Sequence, residues 1–355
     1  MRFYLISTII ILCLLMPLGA ELTFTAYPYL AYSSETRAMI GAFTFIRYDF
    51  ARSSETESLH QVVLLGNTIY SQNKQFMLAL IPNYTYGKMS MESSLLFSSW
   101  PSTFYGTGNF TEADVSESFT STTYSTESSV RYYLAKNILA SMQFDYGKHQ
   151  IKEMKESGFL NSYQMPGKDN EQFAGIGGAI IFDTTSGGYY PEKGIKLELK
   201  QIWYESALGS DRTWQKKTFD TRIYVPWGQQ NVFAVQSDLE INSGDVPFYM
   251  YSELGKRLRA YDTKRFIDEL RLSQRIEQRS FPFSEGMLSR LGFVVFAETG
   301  QVAQALEDVK LKHWHLSLGT GIRFSILPAE RLNLRADIGF GKDSINFIIN
   351  AREVF

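Results

Sequence analysis

The four histidines of the sequence are the first residues to consider for catalysis or metal binding. His313 and His315 are two residues apart, so on a strand their rings would face the same way and could form half of a metal site. Residues 21–355 contain no cysteine, and no further histidine lies close in sequence to complete a ligand set. The sequence therefore predicts no metal site, and we interpret the pair as polar wall residues near the end of a strand.

The remaining histidines, His60 and His149, form no recognisable hydrolase site with a serine. A serine nucleophile needs a histidine base within reach and a third group that orients the histidine. These two histidines lie on or near different predicted strands, and the sequence contains no Gly-x-Ser-x-Gly motif. We therefore predict a protein that is not an enzyme and that holds no cofactor.

Apolar and polar residues alternate along most of the chain, and this alternation decides which side chains can meet. In the segment 314–324 the apolar side chains occupy even positions and the polar or small ones odd positions, and 331–340 and 345–351 alternate in the same way. A period of two indicates strands with one apolar face. Such strands fit either a two-sheet sandwich with apolar faces packed inward, or a membrane barrel with lipid outside and charges inside.

The connections between the predicted strands favour the barrel. Alternation and turn residues predict sixteen strands, at 22–32, 37–49, 58–70, 74–87, 90–100, 123–135, 138–153, 171–183, 194–206, 214–226, 230–242, 264–280, 287–301, 311–326, 330–341 and 344–355. Short connections such as 135–138 alternate with long ones such as 153–171, although 49–58 and 183–194 are longer than expected on the short side. Outer-membrane barrels have short periplasmic turns and longer extracellular loops.

We therefore predict an all-β fold, a transmembrane antiparallel β-barrel of sixteen strands. The last strand would close the barrel by pairing on both edges, which leaves no open edge in hydrocarbon. Phe355 would then lie in the periplasmic aromatic girdle, and Arg352 would point into the lumen.

Residues 1–20 predict a secretory signal peptide. They consist of a short basic start, an apolar run and a cleavage position after Ala20. A single membrane anchor remains the alternative, because Leu18 occupies a position where a small residue is usual. The only cysteine, Cys13, falls in this segment, and residues 21–355 are predicted to form one barrel domain.

The charge of the chain excludes one class of partner and raises a question about the lumen. A net charge of −2 gives no basic footprint, so nucleic acid is not a predicted partner. By alternation the last strands turn seven basic and three acidic side chains inward: Arg271, Arg275, Arg279, Arg323, Arg331, Arg335 and Arg352 against Glu277, Glu298 and Asp337. Acids of a returning loop, such as Asp262 and Asp268, or acids of earlier strands would balance them. Otherwise a basic interior would favour anionic groups or lipid head groups.

Four short segments carry residues that alternation alone does not explain. RLRAYDTKRF, in a long connection, contains Arg259, Ala260 and Tyr261. The strand segments LSQRIEQR and VVFAETGQV contain Glu277, Glu298 and Gly300. FDTTSGGYYPEKG contains Asp183, Tyr190, Pro191 and Gly194, and FIINAREVF contains Phe347, Ile349 and Phe355.

Together these segments resemble the BamA/TamA superfamily of outer-membrane assembly and translocation barrels, whose barrel is often called the bacterial surface antigen domain. Arg259 and Tyr261 match the family's Arg-Gly-Tyr or Arg-Gly-Phe on a long sixth extracellular loop that folds into the lumen, with Ala260 in place of glycine. The resemblance implies that Arg259 lies between Glu277 and Glu298, as a charge-assisted pair. Glu298 replaces an aspartate and is followed, as in the family, by Gly300.

The other two segments resemble further features of the same family. Asp183, Tyr190, Pro191 and Gly194 match a periplasmic turn of the form Asp-Thr-Arg followed by Tyr-Pro-x-x-Gly, with Thr185 in place of the arginine. Phe347, Ile349 and Phe355 match the carboxy-terminal signal that the assembly machinery reads in outer-membrane proteins.

The resemblance also implies a location and a role. We expect the outer membrane of a Gram-negative-type bacterium, contact with outer-membrane lipid, insertion by the outer-membrane assembly machinery, and a role in the assembly or translocation of surface proteins or lipids. Family members with that role carry periplasmic POTRA modules, whereas here the first predicted strand begins shortly after Ala20, so we predict the subgroup without them. The alternatives are a passive, anion-favouring pore and a structural or adhesive surface barrel that binds through 100–123 and 153–171.

Overall fold

The structure is a computed structural model of the chain. It describes residues 21–33, 36–50, 60–112, 115–153, 158, 160, 165–186, 188–228, 230–328 and 331–355. The predicted signal peptide and its cleavage position lie outside these residues. Within them, no helix is both long and apolar enough to cross a membrane.

Eighteen strands are present in the described part of the chain. They are β1 Glu21–Ser33, β2 Arg37–Asp49, β3 His60–Ser71, β4 Phe76–Tyr86, β5 Met89–Phe104, β6 Glu117–Ala135, β7 Ile138–Lys152, β8 Glu171–Asp183, β9 Gly194–Tyr204, β10 Trp214–Trp227, β11 Asn231–Gly244, β12 Ser252–Glu253, β13 Ile267–Asp268, β14 Leu270–Ser280, β15 Leu291–Ala303, β16 His315–Leu327, β17 Leu332–Phe340 and β18 Ile345–Ala351. All except β12 and β13 form one sixteen-stranded sheet in chain order, and the pairs are antiparallel. The predicted all-β barrel of sixteen strands is confirmed.

The two faces of the sheet differ in chemistry as the alternation predicts. On β16 the outward residues Leu316, Leu318 and Ile322 are about half exposed, whereas the inward Ser317 and Arg323 are fully buried. The outward face can be this apolar because acyl chains, and not water, cover it in an outer-membrane barrel. The inward face forms a lumen that is filled by polar side chains and by a loop.

The strand ends differ from the predicted ones at several places, and the largest differences on the extracellular side are three. β5 and β6 extend to Phe104 and Glu117, so the predicted loop 100–123 shortens. β14 begins at Leu270, because residues 264–269 belong to the loop before it. β16 begins at His315, so the predicted strand 311–326 starts four residues too early and its first residues form a 3-10 turn.

The first and last strands lie side by side without being joined by a ladder. In the described chain, the sheet order ends at β1 on one side and at β18 on the other. Their contact includes the rings of Tyr32 and Phe347, whose centroids are 6.0 Å apart. The barrel is therefore nearly closed, and the prediction that the last strand pairs on both edges is wrong. Among the described residues, every other neighbouring pair of strands in the sheet is joined by a ladder, and β1 and β18 are not.

On the periplasmic side the two ends of the sheet overlap. Ile322 of β16 and Leu332 of β17 share the outward face, but Ile322 is 50 % exposed and Leu332 only 4 %. Leu332 lines a cavity together with Tyr29 of β1, whose hydroxyl donates to Asn67 of β3. Tyr29 faces the lumen, since its neighbour Leu30 is 76 % exposed on the outer face. The outer face of β17 therefore packs against the inner face of β1–β3 near the periplasmic side.

The last three residues turn into the lumen. Arg352 has a positive φ of 70°, which ends the extended backbone of β18. Glu353 then accepts a 2.8 Å hydrogen bond from Arg323, and Phe355 is buried beside Tyr190 and Tyr224. The predicted position of Phe355 in the lipid-facing girdle is wrong, because the turn at Arg352 breaks the period of two and the lumen wall covers the ring.

Two of the arginines predicted to line the lumen lie instead at the periplasmic strand ends. Arg352 is exposed, and its guanidinium lies 4.7 Å from the centroid of the Tyr189 ring. Arg331 precedes β17 and forms an ion pair with Glu192. Alternation failed for both because neither residue is part of a strand.

Candidate functional site

The connection between β11 and β14, residues 245–269, is the sixth on the extracellular side, and it enters the lumen. Strands β12 and β13 pair with each other and form its stem. Beyond them the loop buries an apolar cluster against Val302 of β15, formed by Leu254, Leu258, Ala260, Tyr261 and Phe266. The loop is therefore packed as a small core of its own inside the barrel.

At the tip of this loop, Arg259 is bound by three carboxylates of the barrel wall. Its Nη2 lies 2.5 Å from Glu277, its Nε 2.7 Å from Glu298 and its Nη1 3.1 Å from Asp337. The backbone N–H of Arg259 also donates to Glu298 at 2.6 Å. The guanidinium carbon lies 3.4 Å from the centroid of the Phe296 ring. We refer to Arg259, Glu277, Glu298 and Asp337 as the arginine lock.

The structure thus brings Arg259 together with both predicted partners, Glu277 and Glu298, and adds Asp337. Alternation had placed Asp337 in the lumen but gave no reason to connect it with the loop. The signal available in the sequence was only that Asp337 is the one acidic residue of its strand segment, RLNLRADIGF.

The lock is part of a larger buried network. Further arginines contact the same acids: Arg279 lies 2.7 Å from Glu277, and Arg323 and Arg335 each lie 2.6 Å from Asp337. Arg323 also pairs with Glu353. Four arginines thus face four carboxylates, since Glu298 and Glu353 complete the acidic side. Balance matters here because an unpaired charge at such a buried site is expensive, and a hydrogen-bonded partner of opposite charge offsets much of that cost.

Acidic residues of β11 pair with the arginines that lie nearer the extracellular side of the lumen. Arg271 forms ion pairs with Asp238 and Glu240 of β11, and Arg257 of the loop also pairs with Asp238. Arg275 is fully buried and has no carboxylate within ion-pair distance among the described residues; it donates to Gln236. The surplus of basic charge counted from the last strands is therefore largely neutralised by β11 and by Glu353.

The loop acids do not supply this balance. Asp262 and Asp268 form no ion pair with the wall arginines in the described residues, and burial raises the pKa of both carboxyl groups above their usual range. The interpretation that loop acids neutralise the lumen is wrong, whereas the interpretation that earlier strands do so agrees with the ion pairs of β11.

The loop tip approaches the wall closely around Ala260. Ala260 is fully buried, and its backbone does not have a positive φ. Its N–H donates to Ser317 at 3.2 Å, and a Cβ at Gly339 would lie only 2.8 Å from its nitrogen. The close approach is therefore made possible by Gly339 of the wall, and glycine is not needed at position 260.

Tyr261 and Gly300 complete the contact between loop and wall. The Tyr261 hydroxyl donates to the backbone oxygen of Leu316 at 3.2 Å and accepts from the N–H of Lys342 at 3.3 Å. Gly300 faces the loop, where a Cβ would lie 2.7 Å from Leu254. Tyr261 thus joins the loop to β16 and to the turn that follows β17.

The predicted periplasmic turn lies at the opposite mouth of the barrel. Asp183 accepts hydrogen bonds from the N–H and hydroxyl of Thr185, at 2.8 and 2.6 Å. Gly194 has a φ of 109°, which a residue with a Cβ rarely adopts, and a Cβ there would lie 2.4 Å from the Thr184 oxygen. Pro191 is half-buried between them.

Tyr190 of this turn belongs to a buried aromatic cluster. Its ring packs edge-on against Phe281, with centroids 5.4 Å apart, and contacts Phe355 within the same cluster. Burial raises the pKa of the Tyr190 hydroxyl well above its usual range. The predicted turn and the predicted carboxy-terminal signal thus meet at the periplasmic mouth, a contact that no local sequence pattern indicates. Phe347 and Ile349 lie on β18, with Phe347 on the outer face.

The histidines do not converge on a site. His313 lies in a 3-10 turn and packs against Phe110, whereas His315 begins β16 and stacks on Phe266. The prediction that both face the same way on one strand is wrong. Over the described residues, no group of three or more His, Cys, Asp or Glu side chains could hold a metal ion.

A nearly closed sixteen-stranded sheet with an apolar outer face, a polar lumen and a loop fixed inside it defines an outer-membrane β-barrel. The sequence matches the model of the Omp85 superfamily domain over residues 70–341. The chain belongs to this superfamily. A search among curated proteins gave no match.

Solved structures show the same fold. BamA from Haemophilus ducreyi lacking POTRA domains 1–3 superposes with a TM-score of 0.61 at 13 % identity, over 94 % of this chain and 70 % of that one. CdiB from Escherichia coli superposes with a TM-score of 0.61 at 8 % identity, over 95 % of this chain and 63 % of that one. CdiB from Acinetobacter baumannii superposes with a TM-score of 0.56 at 8 % identity, over 94 % of this chain and 66 % of that one. The chain thus spans about two thirds of the length of these proteins.

Proposed function

We propose that this barrel acts in the assembly or translocation of proteins or lipids at the outer membrane, with a lumen closed by its sixth extracellular loop and a seam that opens sideways. The observation that carries the proposal is the arginine lock, together with the lack of a ladder between β1 and β18 in the described chain. Arg259 holds the loop in the lumen, while β1 and β18 lack the ladder that joins the other strands.

The seam supports lateral opening on energetic grounds. Separating two paired strands in hydrocarbon would expose backbone N–H and C=O groups, each at a cost of several kcal/mol. Between β1 and β18 the described chain has no such ladder, and the contact between them includes the ring pair of Tyr32 and Phe347. Opening at this place therefore costs less than opening between any two neighbouring strands of the sheet.

The same geometry disfavours a passive pore. The loop fills the lumen with its own apolar cluster and is tied to three wall carboxylates. A pore would need the loop to leave, which would expose Arg259 and its partners. In planar bilayers we expect small and irregular conductance, and robust steady conductance would favour the pore.

In the cell we propose that residues 1–20 are removed as a signal peptide, and that the outer-membrane assembly machinery inserts the barrel.

A second candidate function is binding of a surface partner through the extracellular loops. Deletion within 105–112 would then abolish binding of a partner while the barrel still folds.

A cross-link across the seam tests lateral opening. Tyr32→Cys and Phe347→Cys are combined in a Cys13→Ser background and joined with a short bis-maleimide in cells depleted of the wild-type chain. We expect the cross-linked barrel to fail to restore the outer-membrane protein and lipid composition, which is measured by quantitative mass spectrometry.

The matched control joins Ile338→Cys to Phe347→Cys, two positions that are already neighbours in the ladder of β17 and β18. This second cross-link should leave complementation intact. Full complementation by the cross-linked seam would refute lateral opening. An unchanged outer membrane after depletion of the chain would refute the assembly role.

A further inference from the structure

The overlap between the two ends of the sheet encloses a cavity of about 410 Å³. Its walls come from faces of opposite kind, namely the outer face of β16–β17 and the inner face of β1–β4. Its volume lies within the range of roughly 300–1,000 Å³ that is usual for small-molecule sites. The cavity lies at the periplasmic side, since Leu332 begins β17 there and Tyr189 belongs to a periplasmic connection.

The walls of the cavity are apolar on both sides. Phe324, Leu332 and Leu334 form one side, and Phe43, Leu65 and Ile81 form the other. The polar groups between them satisfy each other, because the Tyr29 hydroxyl donates to the Asn67 side chain at 2.7 Å. The interior therefore suits a hydrocarbon chain and offers little to a polar ligand.

One end of the cavity is basic. Arg290 and Arg352 both line it, and neither guanidinium has a carboxylate within ion-pair distance in the described chain. Arg352 lies over the ring of Tyr189, which fixes its position without neutralising its charge. This arrangement contrasts with the arginines of the lumen, most of which have a carboxylate partner.

We propose that this cavity binds one anionic phospholipid from the periplasmic leaflet of the outer membrane, with an acyl chain in the overlap and the phosphate between Arg290 and Arg352. The seam between β1 and β18 borders the bilayer, so a chain can enter sideways without crossing the wall. Guanidinium groups suit phosphate oxygens because they present paired N–H donors. The bound lipid fills the space between the two ends of the sheet.

Native mass spectrometry of the full-length, detergent-solubilised protein tests this site. The protein is incubated with dioleoylphosphatidylglycerol or with dioleoylphosphatidylcholine at equal concentrations. We expect one phosphatidylglycerol retained per chain, in clear preference to phosphatidylcholine. The double variant Arg290→Glu with Arg352→Glu should lower retention of phosphatidylglycerol by at least about thirtyfold, because two basic side chains at roughly 1 kcal/mol each contribute about 2 kcal/mol of attraction for an anionic lipid.

Two controls separate the site from general effects. Lys136→Glu makes the same kind of charge change in another periplasmic turn and should leave retention unchanged. Leu334→Trp fills the cavity and should abolish retention, with Leu65→Trp from the opposite wall as a second filling variant. Folding is checked by the heat-dependent shift in electrophoretic mobility of intact barrels.

The proposal would be overturned if the folded double-Glu variant retained as much phosphatidylglycerol as the wild type, or if both filling variants did so. It would also be overturned if the two lipids were retained equally or not at all. These outcomes are independent of the proposed assembly role, which the seam cross-link tests.

Discussion

Arg279 donates a 2.9 Å hydrogen bond to the backbone oxygen of Phe355, so the end of the chain is bound inside the barrel. Arg279 also contacts Glu277, which contacts Arg259 of the sixth loop. A continuous series of charged contacts therefore connects the loop from the extracellular side with the residues at the periplasmic mouth.

Loss of Arg259 should release the loop. Arg259→Ala leaves three buried carboxylates with one partner fewer, and breaking a buried pair costs about 3–5 kcal/mol. We expect a loss of this order in the free energy of unfolding, measured by urea denaturation of the barrel in lipid vesicles. Lys256→Ala is the control in the same loop, since Lys256 is 61 % exposed in its ion pair with Glu253 and should contribute less than about 1 kcal/mol. Equal losses in both variants would contradict the lock.

Phe355 should stabilise the folded barrel as well as any signal it provides for assembly. Its ring is 6 % exposed, and removal of a buried aromatic ring costs about 3–5 kcal/mol. We expect a loss in this range for Phe355→Ala when the purified chain refolds without assembly machinery. Phe347→Ala, on the outer face at 37 % exposure, should lose clearly less. A Phe355→Ala barrel as stable as the wild type would mean that the ring acts only as a signal.

The overlap of the sheet ends should protect Leu332 from lipid. Spin labels are placed at Leu332→Cys and at Ile195→Cys, an outward residue at the periplasmic end of β9 that is 40 % exposed. Both labels are attached in a Cys13→Ser background, and their collision with oxygen is measured by electron paramagnetic resonance. Because both sites lie near the same bilayer depth, we expect a lower collision frequency at position 332. Equal frequencies would mean that β17 faces lipid over its whole length.

The loop should be held more firmly at acidic pH through Asp268. Burial raises the pKa of this carboxyl group, so the folded state binds its proton more tightly than the unfolded state does. Its contribution to stability is therefore present at low pH and is lost as pH rises through the folded-state pKa. Asp268→Asn keeps the oxygen that accepts from the N–H of Glu269 and removes the charge.

We therefore expect Asp268→Asn to be more stable than the wild type at neutral pH, with the difference shrinking on acidification. Thermal unfolding of both proteins across a pH series measures this difference in stability. Asp343→Asn, in an exposed extracellular turn, controls for the change in net charge. A difference at position 268 that does not vary with pH would exclude titration of this group as the cause.

The sequence by itself determined the strands and their faces. Alternation is a local property, because successive residues of a strand point to opposite sides whatever lies next to them. This is why sixteen strands, the inward position of Glu277 and the outward position of Leu316 follow from the pattern. The meeting of Arg259 with Glu277 and Glu298 was expected only through resemblance to a family, since no local pattern connects a loop with a wall.

Only the tertiary structure decided what happens where the strands end. The positive φ at Arg352 turns Phe355 into the lumen, and the start of β16 at His315 separates it from His313. Asp337 joins the lock because the loop lies across several strands at once. The overlap that covers Leu332 depends on how far the whole sheet curls, which is a sum of small twists over all its strands and is visible in no single segment.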